Sequence, residues 1–312
     1  MRISIAIHGG AGTMRVADLT AAMTDARHEG LRAALRAGWS VLRRGGSSLD
    51  AVTASVCALE DDRLFNAGHG AVLTDAGTIE MDAGIMNGAD RRAGAVAGIC
   101  GPRNPVLAAR AVMETTSHLL MIGEGAHSVA RDAGLIFAPA DYFETPDRRA
   151  ALDRELARRA ANAPDTRSDA DRHGTVGAVA RDARGDLAAA TSTGGMTGKR
   201  SGRVGDTPII GAGTYADELC AVSCTGTGEV FIRYTAAAEI AARLRYNGEA
   251  IAGAAADVVA QLATHGGDGG LIALGAVGEP VLPFNSSGMY RGYVDAEGRL
   301  CTAIHREAFR FG

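Results

Sequence analysis

Five threonines of the 312-residue chain stand in glycine-rich surroundings: Thr175 after Gly174, Thr191 and Thr193 before Gly194-Gly195, and Thr225 and Thr227 in Cys224-Thr225-Gly226-Thr227-Gly228. A threonine hydroxyl is a weak nucleophile until a base takes its proton. The α-amine of an N-terminal threonine is such a base, held within reach by its own backbone. Its unperturbed pKa lies near ~8, so an appreciable fraction is neutral at cellular pH. An internal Thr175 reaches that state only if the Gly174–Thr175 bond is cut. A small residue before the threonine, at the end of a polar segment, is what a strained self-cleaving turn requires. The competing reading is ordinary β-structure, because threonine favours strands and glycine favours turns.

Other chemistries find less support. Gly10-Ala11-Gly12-Thr13-Met14-Arg15 begins like a dinucleotide fingerprint, but Arg15 stands where the last glycine belongs. The phosphate-loop pattern fails at Gly198-Lys199-Arg200, and no Gly-x-Ser-x-Gly elbow occurs. Histidines are dispersed, and the five cysteines form no Cys-x-x-Cys pair, so neither structural zinc nor a disulfide framework is expected. With 32 Lys and Arg against 36 Asp and Glu, the net charge of −4 leaves no basic surplus for nucleic acid or anionic membrane. No apolar run is long enough to span a bilayer, and the N-terminal run is too short for a signal sequence. A soluble cytoplasmic protein is expected.

The elements that must position these threonines follow from periodicity. Ile3 to Ile7 alternates like a strand and ends in Gly9-Gly10-Ala11-Gly12. Helices are predicted at about 18–44 and 48–61, the second capped by Ser47 and Ser48 after Gly45-Gly46. Short strands are predicted at 71–73, 78–83 and 93–98, and helices near 104–114 and 125–132. From about 145 to 173, Asp, Arg and Ala dominate, which reads as a short helix and then a flexible linker. Strands at 174–180 and 187–193 form a hairpin, followed by a glycine-rich loop to 205. Strands are expected at 221–224 and 228–233, helices at 236–245 and 249–264, and closing hairpins at 270–284 and 288–305. Adjacent antiparallel strands and paired helices argue for an α+β fold rather than alternating β-α-β winding.

Several blocks together resemble one family. His8-Gly9-Gly10-Ala11-Gly12, Leu64-Phe65-Asn66-Ala67-Gly68, His173-Gly174-Thr175-Val176-Gly177, Thr191-Ser192-Thr193-Gly194-Gly195-Met196-Thr197-Gly198-Lys199, Gly202-Arg203-Val204-Gly205-Asp206, Cys224-Thr225-Gly226-Thr227-Gly228-Glu229 and Pro283-Phe284-Asn285-Ser286-Ser287-Gly288 occur in order along the chain. They resemble the plant-type, or class 3, L-asparaginases that are also isoaspartyl peptidases. The resemblance implies an N-terminal nucleophile hydrolase with a four-layer αββα sandwich. One domain, 1–312, would consist of an α-chain, 1–174, whose tail from about 145 is the linker, and a β-chain, 175–312.

Carried over by the same resemblance, Thr175 is the autoproteolytic and catalytic nucleophile, and Thr193 orients it. Thr225 and Gly226 stand at the oxyanion position. Arg203 would clamp the substrate α-carboxylate, Asp206 would accept its α-ammonium, Gly228 would offer a backbone contact, and Asn66 would approach the nucleophile. No cofactor is implied for catalysis. A structural sodium ion is implied on the main-chain carbonyls of Leu59, Glu60, Asp62, Phe65, Ala67 and His69, as is a dimer of αβ units. The expected activity is hydrolysis of L-asparagine and of β-aspartyl dipeptides. Gly174, where glycosylasparaginases typically carry Asp, sets a glycan-linked asparagine substrate second, and an uncleaved amino-acid-binding protein is the alternative of another class.

Overall fold

Residues 2–12, 19–164 and 174–312 are described by a computed structural model. The chain opens on β1 (Ser4–Ala11), an entirely buried strand. Two long helices follow, α1 (Ala21–Arg43) and α2 (Ser48–Glu60). Each starts at a hydroxyl that satisfies an open backbone donor. Thr20 Oγ1 accepts from Met23 N at 3.2 Å, and Ser47 Oγ accepts from Asp50 N at 3.1 Å. Ser48 is therefore inside the helix and not a second cap. The predicted start of α1 at Asp18 lies outside the described residues.

The remaining N-terminal elements are β2 (Met81–Asn87), β3 (Ala93–Ile99), α3 (Pro105–Thr115), β4 (Leu120–Ile122), α4 (Gly123–Asp132), α5 (Ala140–Phe143) and α6 (Pro146–Ala160). Then come β5 (Val176–Arg181), β6 (Leu187–Thr193), β7 (Thr214–Ala216), β8 (Cys220–Gly226), α7 (Gly228–Arg233), α8 (Ala236–Ala242), α9 (Ile251–Thr264), β9 (Gly269–Gly275), β10 (Met289–Val294), β11 (Leu300–Ala303) and β12 (Arg310–Phe311). Nine strands form one sheet in the order β12-β11-β10-β1-β5-β6-β2-β3-β4, and β7-β8-β9 form a second. All neighbours are antiparallel except β3 and β4.

The period-2 alternation of strands assigns their two faces. Ile5, Ile7, Val176, Ala178, Ala188 and Ala190 point into a core shared with α1, α2 and α3. Ala6, Val179, Leu187 and Ala189 point the other way, against Ala221, Ile272 and Leu274 of the smaller sheet. The opposite faces of β8 and β9, with Val222, Cys224, Leu271 and Ala273, bury against α7, α8 and α9. No helix among the described residues is long and apolar enough to cross a membrane.

Three expectations need correction. Residues 228–233 form a helix, α7, and not a strand. The run Val230-Phe231-Ile232 is too short for periodicity to decide, and its first turn closes with Val230 N donating to Thr227 O at 2.9 Å. Residues 71–73 form no strand; the adjacent contact is an isolated bridge between Thr74 and Lys199. The first half of the expected flexible linker is α6, capped by Thr145 and buried at Ala151, Leu152 and Glu155. Its polar look arises from an amphipathic face on which Glu155 pairs with Arg158 and Arg159 at 2.8 and 2.6 Å. Residues 165–173 of that segment lie outside the described residues.

Candidate active site

Thr175 immediately precedes β5, the strand that β1 and β6 flank. Its side chain is buried, and Oγ1 donates to Thr193 Oγ1 at 3.2 Å. Thr193 ends β6 and also accepts from Gly195 N at 2.9 Å. Two donors therefore fix the Thr193 oxygen, which leaves the Thr175 lone pairs uncommitted to this contact.

Gly174 lies outside the left-handed region, so the expected strained turn is not what requires glycine here. A Cβ on Gly174 would lie 2.7 Å from Asn66 Cβ, and a Cβ on Gly10 would lie 2.8 Å from Gly174 Cα. Close packing is the reason. Asn66 is held in place by both ends of its amide: Nδ2 donates to Gly195 O at 2.6 Å and Oδ1 accepts from Val72 N at 2.9 Å. Thr225, fully buried near the end of β8, accepts from Ala11 N at 3.0 Å. The end of β1 at Gly10-Ala11 thus touches both the Thr225 and the Gly174 sides of the site, and Gly226 follows Thr225 as the last residue of its strand.

Arg203, Asp206 and Gly228 also meet. A Cβ on Gly228 would lie 2.9 Å from Asp206 Oδ1 and 3.0 Å from Arg203 Nη2. The Arg203 Nε and Nη2 donate to Glu229 at 2.9 and 3.0 Å. Burial works against the Arg203 charge, but the Glu229 bonds together with the charges of Glu229, Asp206 and Asp82 outweigh it and raise the pKa. The other edge of the guanidinium, Nη1 with the second Nη2 hydrogen, retains fork geometry for a second carboxylate. Glu229 was not singled out by sequence, although it directly follows Gly228.

Asp82 ties these parts together. It pairs in register with Thr193 across β2 and β6, and its carboxylate accepts from Gly98 N at 2.8 Å and Gly205 N at 3.2 Å. Burial pushes its carboxyl up, against the nearby Lys199 charge. The α6 helix closes the same region. Arg148 Nε donates to Gly70 O at 2.8 Å, and a Cβ on Gly198 would lie 3.1 Å from both Glu155 Cγ and Arg159 Nη2.

The segment from Leu59 to His69 turns tightly after α2. Asp62 N donates to Leu59 O, Phe65 N to Asp62 O, Ala67 N to Phe65 O and Gly70 N to Ala67 O, at 3.1–3.3 Å. A Cβ on Gly68 would lie 2.4 Å from Glu60 O, and one on Gly70 would lie 2.0 Å from Phe65 O. The bare glycines face backbone oxygens. Among the described residues no group of three or more His, Cys, Asp or Glu is arranged to hold a metal ion, a set to which backbone carbonyls do not belong.

The asparaginase family model Asparaginase_2 matches residues 1–304. The chain belongs to this asparaginase family. It is 49% identical over 312 residues to the isoaspartyl peptidase of Salmonella typhimurium, covering 97% of this chain and 98% of that protein. It is 40% identical to the probable isoaspartyl peptidase/L-asparaginase 2 of Arabidopsis thaliana, over 96% and 98% of the two chains. The plant-type L-asparaginase of Pyrococcus furiosus is 46% identical over 75% of this chain and 77% of its own.

Within this asparaginase-family chain, sequence reasoning passed over one contact to the threonine site. His8 Nδ1 lies 3.0 Å from Thr175 O. A carbonyl only accepts, so Nδ1 carries the proton. Burial depresses the His8 pKa to about 3, which keeps the ring neutral. The one available signal was a histidine on the inward side of a largely apolar strand.

Proposed function

We propose that this asparaginase-family chain cuts itself at Gly174–Thr175 and then hydrolyses L-asparagine and β-aspartyl dipeptides with Thr175 as nucleophile. The observation that carries the reading is the buried Thr175 hydroxyl donating to Thr193 at 3.2 Å beside a close-packed Gly174. In the first step Thr175 Oγ1 attacks the Gly174 carbonyl carbon. The peptide C–N bond breaks as the Oγ1 proton passes to the nitrogen, giving a Gly174 ester on Oγ1 and a free Thr175 amine, and water hydrolyses the ester to a Gly174 carboxylate and the restored hydroxyl. That amine then serves as the general base.

In turnover, Thr175 Oγ1 adds to the side-chain carbonyl of the substrate while the amine takes its proton. The Thr225 hydroxyl and the Gly226 N–H receive the developing oxyanion. Ammonia, or the amino acid of a β-aspartyl dipeptide, leaves with a proton, and water hydrolyses the aspartyl ester. Arg203 binds the α-carboxylate through the edge not used by Glu229, Asp206 accepts from the α-ammonium, and Gly228 lets the substrate approach. Asn66 holds the Gly195 side of the pocket. The names of the relatives support this substrate class.

The same reading takes the stacked helices and two sheets as an αββα sandwich and expects two αβ units to associate as a dimer. It also places a structural sodium ion on the carbonyls of Leu59, Glu60, Asp62, Phe65, Ala67 and His69. The backbone oxygens of Glu60 beside Gly68 and of Phe65 beside Gly70 suit a hard cation that prefers oxygen. Replacing sodium by choline at equal ionic strength should lower the melting temperature, and an unchanged melt removes the ion from the proposal.

Intact mass is the direct test of function. The wild type should resolve into two chains ending at Gly174 and beginning at Thr175, while Thr175→Ala stays full-length and inert. A substrate panel of asparagine, glutamine, β-aspartyl dipeptides and glycan-linked asparagine then reads specificity. An active enzyme that remains one uncut chain would overturn the mechanism.

A further inference from the structure

The contact from His8 to Thr175 is one end of a buried polar row between the two sheets. His8 on β1, Gly177 on β5, Thr191 on β6 and Gly84 on β2 stand in register across four adjacent strands. Polar side chain and bare glycine alternate along the row. From the facing sheet, Ser223 and Thr214, themselves register partners, project into the two glycine gaps. A Cβ on Gly177 would lie 2.0 Å from Ser223 Oγ and 2.5 Å from His8 Nε2, and one on Gly84 would lie 3.3 Å from Thr214 Oγ1. All four polar side chains of the row and its inserts are buried completely.

The direction of the bonds follows from counting hydrogens. His8 Nδ1 donates to Thr175 O, so the bare Nε2 of the neutral ring must accept from Ser223 Oγ, 2.9 Å away. Ser223 has then spent its hydrogen, so its 2.7 Å contact with Thr191 Oγ1 takes the single Thr191 hydrogen in preference to Gly213 O at 3.3 Å. Thr214 Oγ1 stands at the far end, 2.7 Å from Thr191 Oγ1 and 2.9 Å from Thr207 O. Donors aligned in one direction polarise one another in a dry interior. Their combined effect falls on the Thr175 carbonyl.

We propose that His8 positions the nucleophile by holding the Thr175 carbonyl, and that Ser223 and Thr191, backed by Thr214, lock its imidazole in the one tautomer able to do so. This inference rests on Thr175 being the nucleophile. His8 touches neither the hydroxyl nor the groups assigned to substrate, so it acts through the Thr175 backbone. Fixing the 175–176 peptide fixes the Thr175 Cα, and with it the reach of Oγ1 toward Thr193 and the scissile carbonyl.

The tautomer is read first, by 15N NMR of the imidazoles in the full-length Thr175→Ala chain, with the His8 signals identified by their loss in His8→Asn. A protonated Nδ1 with a bare Nε2 is expected, mixing of tautomers is expected in Ser223→Ala, and an Nε2–H tautomer overturns the proposal. Kinetics then separate the two ends of the ring. His8→Asn, whose amide nitrogen overlays Nδ1, should retain kcat within about tenfold, the worth of one neutral hydrogen bond. His8→Gln reaches Ser223 but not the Thr175 carbonyl, and should lose roughly 100-fold in kcat or processing rate through misplacement of the nucleophile. KM for asparagine should be unchanged in both. Equal kcat and processing in the two variants, or a loss seen in KM, overturns the proposal. Turnover by Thr175→Ala would instead remove the nucleophile assignment, leaving the tautomer measurement to decide the row by itself.

Discussion

A hydroxyl that donates its hydrogen to another hydroxyl presents its lone pairs elsewhere, and Thr175 stands in that relation to Thr193. Thr175, Thr193, Thr225, Arg203 and Asp206 could be singled out from sequence because each lies in a short local motif. His8 could not, because its partners Thr175 and Ser223 lie 167 and 215 positions away. Gly174 was singled out correctly as special but for a reason that only packing supplies, the approach of the Asn66 Cβ. Gly174→Ala should therefore slow self-cleavage by about tenfold or more, a side chain at 2.7 Å forcing the backbone to shift. Once cut, the β-chain lacks residue 174, so its kcat should match the wild type. A time course of intact mass, with kcat measured on the cleaved fraction, checks both halves of that expectation.

Elements are held together by buried groups whose ionisation the fold suppresses. His28 on α1 is buried against Thr302 of β11, 2.8 Å from its Oγ1, and burial, aided by Arg310 and Arg32, depresses its pKa to about 4. His8 on β1 is depressed by burial to about 3. Unfolding returns both to near 6.5, so the unfolded chain binds more protons below that pH. Stability from these two histidines is complete above about pH 6.5 and is lost as pH falls toward 4 and 3. These two histidines should lower the melting temperature by about 4 °C per pH unit from 6 to 4, an effect opposed above about pH 4.5 by Glu60, whose carboxyl burial pushes up to about 8. His28→Asn, polar at the Nδ1 position but unable to titrate, should reduce that slope by about half, and an identical slope would refute the assignment. At this scale most helix and strand centres were legible from periodicity and caps. The failures were residues 71–73, which form no strand, α7, whose short apolar run fits either period, and the length of α6, whose ion pairs imitate a solvated linker.

Across the whole molecule, the proposed cut at Gly174–Thr175 falls between strands that the large sheet interleaves. Residues 175–312 supply β12, β11, β10, β5 and β6, while β1 lies between β10 and β5, and β2, β3 and β4 continue beyond β6. β1 therefore has a strand of the other piece on both sides, and its removal would break two ladders and expose both faces of a buried strand. The two pieces should remain associated one to one in native mass spectrometry and on size exclusion, and should separate only in denaturant. Dissociation of the cut protein under native conditions would contradict this topology.

The sequence by itself marked Thr175 as a nucleophile candidate, from local residue chemistry, and an α+β arrangement, from periods of two and 3.6, which a linear string carries. The roles proposed for Thr193, Thr225, Gly226, Arg203 and Asp206 came instead from the resemblance of whole motifs to one family. Only the tertiary structure decided why Gly174 must be glycine, that α6 closes over the glycine-rich loop, that Glu229 shares Arg203, and that His8, Thr191, Ser223 and Thr214 form one buried row. These depend on which strands become neighbours and on the register between them, and that choice is made by packing two sheets face to face rather than by any neighbouring residues in the chain.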